Sequence, residues 1–347
     1  MAYDLSRKFV IATSSRALFD LSRENRIFET QGAEAFEKYQ AEHQDALLRP
    51  GPAFPLIRAM LRLNEFLPDE YCIEVVLMSR NSVSAGVRVR RSIAHHNLNI
   101  SRSVFTTGGT VSRYLRAFHV NVFFSAHPED VKSAADAGVP SAMLWGLPRR
   151  SSSAEVETIR IAFDGDAVLF AEDSERIYQE RGLDAFHDHE AQHANVPLGD
   201  GPWAKVLRSL GHLQRRLPSS RAFFKTAIVT ARNAPADVRV ARTLEKWGAR
   251  VDEVLFLGGM RKDEVLAAFD PHLFIDDQAI HCSSASVVVP TAQVPSNLFT
   301  LSGAICPPCP RCGGETVQRV ARRGPREGRP FFGCRQYPAC TGSVSVA

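Results

Sequence analysis

The sequence predicts an α/β protein: two tandem parallel-sheet lobes made by internal duplication, each with a helical cap-like insertion, then a small metal-stapled tail. Three observations carry this. Landmarks in the first half recur about 150 residues later, short β-branched or aromatic runs alternate with longer helical patterns, and five of the seven cysteines crowd between Cys306 and Cys340. Strands alternating with helices give a parallel sheet with right-handed crossovers.

The repeat comes first, because a missed duplication misassigns a whole fold. Ile11-Ala12 recurs as Ile161-Ala162, and ENRIFETQGAEAFEKYQAEH (24–43) as SERIYQERGLDAFHDHEAQH (174–193), keeping Arg26, Ile27, Gly32, Ala35, Phe36, Ala41 and His43. Gly51-Pro52 matches Gly201-Pro202, VVLMSRN (75–81) matches AIVTARN (227–233), Gly108-Gly109 matches Gly258-Gly259, and VFFSA (122–126) matches LFIDD (273–277). In the second half RIAF, TAIVT, VDEVLFL, PHLFIDD and SVVVP read as strands, with helices over Val238–Trp247 and Asp263–Phe269. The insertions fall at 20–70 and 170–222. The expected domains are 1–150, 151–300 and 301–347.

With 347 residues, 44% of them hydrophobic and 23% charged, the chain is long enough for two compact domains and unlike a disordered or fibrous one. No apolar run approaches the ~20 residues that span a bilayer, so a soluble, cytoplasmic chain without a membrane partner is expected. The net charge of +4 belongs to the tail, where seven Arg face two Glu after residue 308. Cys72 and Cys282 read as inert core thiols.

Chemistry gathers beyond the carboxyl ends of parallel strands. There IAFDGDAVLF places Asp164 and Asp166 two apart, able to share a divalent cation, with Asp164 suited to attack phosphorus and Asp166 to exchange a proton. Thr230 ends TAIVT, where its hydroxyl and neighbouring amides, Ala231 included, suit a phosphate oxygen. Lys262 opens a helix after Gly258-Gly259, and FIDDQ ends a strand in Asp276 and Asp277, hard ligands that favour Mg²⁺.

Asp-x-Asp-x-Val, strand-Thr, Lys and strand-Asp-Asp, in that order, resemble the four motifs of the haloacid dehalogenase superfamily of phosphohydrolases. Residues 1–300 are more specifically similar to the cytosolic 5′-nucleotidase I family, through IATSSRALFDL, RIFETQGAEAFEKYQ, PGPAFPLIRAMLRLN, VVLMSRNS and IAFDGDAVLF. The resemblance implies haloacid-dehalogenase-like lobes and Mg²⁺-dependent hydrolysis of nucleoside 5′-monophosphates such as AMP through an aspartyl-phosphate. It implies Asp164 as nucleophile and ligand, Asp166 as acid/base, Thr230 as phosphate contact, Lys262 as charge clamp, and Asp276 or Asp277 as the remaining ligand. Two alternatives use the same residues: a nucleic-acid-binding protein that processes nucleotide ends, and a phosphatase of another small metabolite.

In the first half Ser14 stands for Asp164, Arg16 for Asp166, Met78 for Thr230, Ser112 for Lys262, and Ser125 and Ala126 for Asp276 and Asp277. That half is expected not to be a phosphatase. It is either structural, shaping the substrate pocket, or a site for an ADP or ATP effector built from Ser14, Ser15, Arg16, Gly108 and Gly109. In the second insertion Phe186, His187, His189 and Trp203 are candidates for contacting base or ribose. A homo-oligomer is compatible with all of this.

Cys309-x2-Cys312-x21-Cys334-x5-Cys340 suits tetrahedral Zn²⁺, with Cys306 a competing ligand by its own x2 spacing. CPRCGG to YPACTG is similar to the C-terminal four-cysteine zinc finger of type I topoisomerases. That implies contact with single-stranded nucleic acid, for which Arg322, Arg323, Arg326, Arg329 and Arg335 supply cations and Phe331, Phe332 and Tyr337 stacking faces.

Overall fold

The structure, a computed structural model, describes residues 3–145, 158–220, 222–296, 309–312, 316–320, 330–334 and 337–345. Strands β1 (Phe9–Thr13), β2 (Ile73–Ser79), β3 (Arg102–Phe105), β4 (Val120–Ser125) and β5 (Ser141–Trp145) come from the first half. Strands β6 (Ile159–Phe163), β7 (Phe224–Thr230), β8 (Glu253–Phe256), β9 (Leu273–Asp276) and β10 (Thr291–Gln293) come from the second. They form one ten-stranded sheet in the order β3-β2-β1-β4-β5-β10-β9-β6-β7-β8.

Each half thus has the same internal strand order, read outward in opposite directions from the centre. All pairings are parallel except the central one, where Thr291, Ala292 and Gln293 of β10 run antiparallel to Trp145, Leu144 and Met143 of β5. One continuous sheet therefore replaces the two separate sheets expected from sequence. The antiparallel seam also points the strands of the two halves in opposite directions, so their carboxyl ends open at opposite edges of the sheet.

Period-two alternation divides the core. Phe9 and Ile11 of β1 join Ile159, Ile161 and Phe163 of β6 in one apolar cluster shared by both halves, with Leu56, Ile57 and Met60 of helix Phe54–Arg62 and Val206, Leu207 and Leu210 of helix Ala204–Gln214. The intervening residues face the other way into separate cores, Val10 and Ala12 with Val76, Met78 and Phe123 in the first half, and Ala162 with Ala227, Val229 and Phe274 in the second.

The helical insertions match in detail. Helix Ser22–Glu42 kinks at Gly32 (φ 86°, ψ −179°) and helix Asp173–Gln192 at Gly182 (φ 82°, ψ −178°), a conformation that glycine adopts without strain. A Cβ on Gly51 would lie 2.8 Å from the Ala17 carbonyl oxygen, and one on Gly201 would lie 2.5 Å from that of Phe170. Arg88 donates through Nε to the Ala46 carbonyl and Arg239 to that of Val196, both at 2.7 Å.

Three expectations need correction. SVVVP is not a strand: helix Ala279–Ala285 runs into it, and only Thr291–Gln293 beyond it pairs with the sheet. The β-branched run leaves Val287 and Val288 partly exposed after the helix end. The counterpart of Gly258-Gly259 (φ 55° and 84°) is Thr107-Gly108 (φ 47° and 87°), not Gly108-Gly109. And because Thr13 pairs with Leu77 while Phe163 pairs with Ile228, the residue matching Thr230 is Ser79 rather than the core residue Met78.

In the tail, β11 (Thr316–Val320), β12 (Pro330–Cys334) and β13 (Ser343–Ser345) make a separate antiparallel sheet. Among the described residues no helix is long and apolar enough to cross a membrane.

Candidate active site

Strands β6 and β9 are neighbours, so Asp164, just past β6, and Asp276, the last residue of β9, emerge side by side at one sheet edge. The Asp164 amide donates to the Ile275 carbonyl at 2.7 Å, which ties the two strand ends together. Gly165 follows because the chain passes Thr230: a Cβ there would come within 3.1 Å of Thr230 Oγ1. Lys262, the first residue of helix Lys262–Phe269, places its ammonium 2.9 Å from Asp164 Oδ1 and 2.7 Å from Asp276 Oδ2.

All three groups are buried. Burial lowers the affinity of Lys262 for its proton, but Asp164 and Asp276 outweigh it and raise its pKa above the ordinary lysine range. Asp276 is held below the usual carboxylate range because Lys262 and His281 overcome its burial. Asp164 is pushed up to about 6, chiefly by burial with Asp276 adding to it. Asp277 is pushed up to about 9, by burial and then by the charges of Asp276 and Asp164.

Both carboxylate oxygens of Asp277 are buried without a hydrogen-bond partner among the described residues. Orphaned acceptors beside two further carboxylates are what a bound cation would satisfy. His281, on helix Ala279–Ala285, lies 3.2 Å from Asp276, and its ring shares a cluster with Asp164 and Asp276 whose ligand atoms are all within 4.8 Å of one another. The sequence reading missed His281; its one signal was its place five residues beyond Asp276.

Asp166 faces a different set of partners. Its two oxygens accept from Arg232 Nε at 2.8 Å and Nη2 at 2.6 Å. Arg232 Nη1 bonds Glu190 of the insertion helix at 2.5 Å, and Glu190 also accepts from Arg239 Nη1 and Ser174 Oγ, both at 2.8 Å. Burial alone would lower the Arg232 pKa, yet Asp166 and Glu190 raise it above the ordinary arginine range. The Glu190 carboxyl sits below its usual value because Arg232 outweighs its burial. Thr230 Oγ1 accepts from the Arg232 amide at 3.3 Å, and Ala231 is exposed beside it.

Of the other insertion residues, Trp203 is 1% exposed and packs on Phe124 and Phe163, and Phe186 is buried with the Arg232 guanidinium 5.3 Å from its ring centre. Neither offers a face to a base, since each is taken up by the core. His189 bonds Glu190, whereas the half-buried His187 reaches Asn233 at 3.1 Å.

The first half keeps the geometry with different chemistry. Ser14 caps helix Ser15–Leu18, Ser15 and Ser79 share a 3.1 Å hydrogen bond, and Arg16 donates to Asn25 at 2.8 Å. Burial lowers the pKa of both Arg16 and His127. A buried carboxylate is present there too: Asp130 takes the place of His281, but Arg80 Nε holds it at 2.6 Å. Gly108 and Gly109 lie on the loop after β3, where the Gly108 amide donates to the Arg80 carbonyl.

In the tail Cys309 Sγ is 3.7 Å from Cys340 Sγ, Cys312 Sγ is 3.5 Å from Cys334 Sγ, and all four sulfurs lie within 4.8 Å of one another. Four thiolates at about 2.3 Å from one zinc ion would be about 3.8 Å apart, so the set fits Zn²⁺. Amides of Cys312 and Arg311 and the neighbouring thiols overcome burial to lower the Cys309 thiol to about 6. Phe332 is buried, so it presents no stacking face, whereas Tyr337 is exposed. Cys306, Arg322, Arg323, Arg326, Arg329 and Arg335 lie outside the described residues.

Human cytosolic 5′-nucleotidase 1B is 36% identical over 285 residues, which is 79% of this chain and 47% of that protein, so the chain spans about half the length of the curated relative it matches. The solved structure of a Pnkp1/Rnl/Hen1 complex covers 86% of this chain and 99% of its own at 15% identity and a TM-score of 0.29, a likeness too slight to carry an argument. A family model described as 5′-nucleotidase matches residues 1–300, the whole of both sheet halves, and the chain belongs to the 5′-nucleotidase family.

Proposed function

We propose that the chain is a Mg²⁺-dependent 5′-nucleotidase that releases phosphate from nucleoside 5′-monophosphates of the AMP kind. The observation that carries this reading is the buried group of Asp164, Lys262 and Asp276 at adjacent strand ends, with the carboxylate of Asp277, which has no hydrogen-bond partner among the described residues, beside it. Asp164, Asp276, Asp277 and the segment at Asp166 would hold Mg²⁺, which when bound neutralises phosphoryl charge. His281 is an additional nitrogen donor in reach.

The side chains divide the chemistry. An Asp164 oxygen forms a bond to phosphorus while the bond from phosphorus to O5′ breaks and Asp166 gives O5′ its proton. Asp166 then takes a proton from water as the water oxygen bonds phosphorus and the acylphosphate bond to Asp164 breaks. Lys262 neutralises charge on the phosphoryl group, and the Thr230 hydroxyl with the Ala231 amide receives a phosphate oxygen. The family match and the relative's cytosolic name favour a cytoplasmic enzyme of this substrate class.

The two halves are read as descendants of one haloacid-dehalogenase-like unit, on the strength of their common strand order and matching glycine and arginine contacts. Domains at 1–150, 151–300 and 301–347 follow, the last a zinc-stapled module. The first half is assigned the ADP or ATP effector role through Ser14, Ser15, Arg16 and the loop at Gly108 and Gly109. A phosphate-release panel over nucleoside monophosphates, with and without Mg²⁺ and with added ADP or ATP, tests all of this. Mg²⁺-dependent release from AMP is the expected result, and release only from polynucleotide ends or sugar phosphates would refute it.

A further inference from the structure

Arg232 and Glu190 are buried charges, with 1% and 0% side-chain exposure, and neither belongs to the set that handles phosphate above. Burying such ions costs several kcal/mol each unless they are fully paired, so the arrangement calls for a reason. Fastening the insertion to the rest of the fold is not that reason. Arg239, on helix Ala236–Trp247, already does so through the Val196 carbonyl, as Arg88, on helix Val83–His95, does in the first half through that of Ala46.

The first half separates the two roles. Where the second half has Asp166, Arg232 and Glu190, the first has Arg16, Asn81 and Gln40, while the structural arginine remains and pairs with Glu24. The Asn81 amide even keeps the hydrogen bond to Ser79 Oγ that the Arg232 amide makes to Thr230 Oγ1. The buried arginine thus accompanies the aspartate, while Glu190 serves both arginines, since the structural Arg239 also pairs with it as Arg88 does with Glu24.

We infer that Arg232 is a positioning residue for Asp166, and that Glu190 of the helical insertion anchors Arg232 in that role. A guanidinium fork on both oxygens leaves the carboxyl one orientation, and misplacing a proton donor by about 1 Å can cost about 100-fold. Arginine stays protonated, so it directs the Asp166 carboxyl without competing for the proton that passes between Asp166 and O5′. Through Glu190, the insertion and the acid/base group become one mechanical unit.

The inference rests on Asp166 acting as the acid toward O5′, and the test separates the two. Full-length Asp166→Asn, Arg232→Gln, Arg232→Lys and Glu190→Gln are assayed on AMP and on p-nitrophenyl phosphate, whose leaving group departs without a proton. Asp166→Asn should lose at least about 10-fold more kcat on AMP than on the aryl ester. Arg232→Gln should show the same split, with AMP kcat down about 10- to 100-fold and KM within about threefold, and Glu190→Gln a weaker version. Arg232→Lys keeps the charge without the fork and should recover part of the loss; it also supplies the ratio if Arg232→Gln does not fold.

Equal losses on both substrates in the Arg232 and Glu190 variants, with the split intact in Asp166→Asn, would mean a merely structural role and overturn the inference. No split in Asp166→Asn itself would remove Asp166 as the acid and the inference with it.

Discussion

The two sheet halves share a frame and differ in what sits at its strand ends. Both kink their insertion at a glycine, both bring a glycine against the backbone after strand one, and both fasten the insertion with an arginine. Yet Asp164, Thr230 and Asp276 of one half are Ser14, Ser79 and Ser125 of the other. Serine fills the space and keeps local hydrogen bonds, but it carries no charge to attract a cation or attack phosphorus. The frame is common to both halves, and on the proposed function activity rests on a few ionised groups at one edge.

The largest break in that comparison is Asp164→Asn, which should lower turnover at least about 10³-fold while leaving the circular dichroism spectrum unchanged. Ser14→Asp added to that variant should restore nothing, because Lys262 and Asp276 have only Val111, not the Ser112 expected from sequence, and Ser125 as counterparts.

Next is pH. Asp164 and Asp277, raised to about 6 and about 9 in the fold from an ordinary 3.8, stabilise it fully below about pH 4 and lose that contribution as pH rises through those values. Metal-free protein should lose on the order of 5 °C in Tm between pH 5 and pH 9, and Mg²⁺ should flatten the slope. Asp277→Asn should remove its upper part, whereas changes at Ser125 or Ala126 should not alter it.

Smaller and equal effects are expected where the halves agree. Gly51→Ala and Gly201→Ala should each cost about 2 kcal/mol by thermal melting, since each Cβ would meet backbone. Very unequal losses would break the structural equivalence. Smallest of all, Cys309→Ser should abolish zinc binding by metal analysis while AMP hydrolysis stays within about twofold.

Much of this was legible in the sequence. The repeat anticipated the common strand order of the two halves, Asp164 and Asp276 stood out at the ends of apolar runs, and Lys262 stood out as the helix start after Gly258-Gly259. What was hidden depended on register or distance. The repeat offset at β2 is 151, whereas matching VVLMSRN to AIVTARN sets it at 152, a slip that hid Ser79 behind Met78. The same slip made Arg232 look like a counterpart of Arg80, a shared landmark, when its place in the frame is that of Asn81. Glu190 lies 42 residues before Arg232, and no local spacing announces a pairing that only the folded insertion creates. SVVVP misled because β-branched residues also close a helix against a sheet.

The antiparallel seam between β5 and β10 has a consequence for regulation. A nucleotide held at the first half's strand ends would sit on the far rim from AMP and could not touch it, so it could not complete or block the pocket. It could act only by favouring one overall arrangement of the sheet, and such influence is reciprocal: whatever factor it adds to AMP affinity, AMP must add to its own.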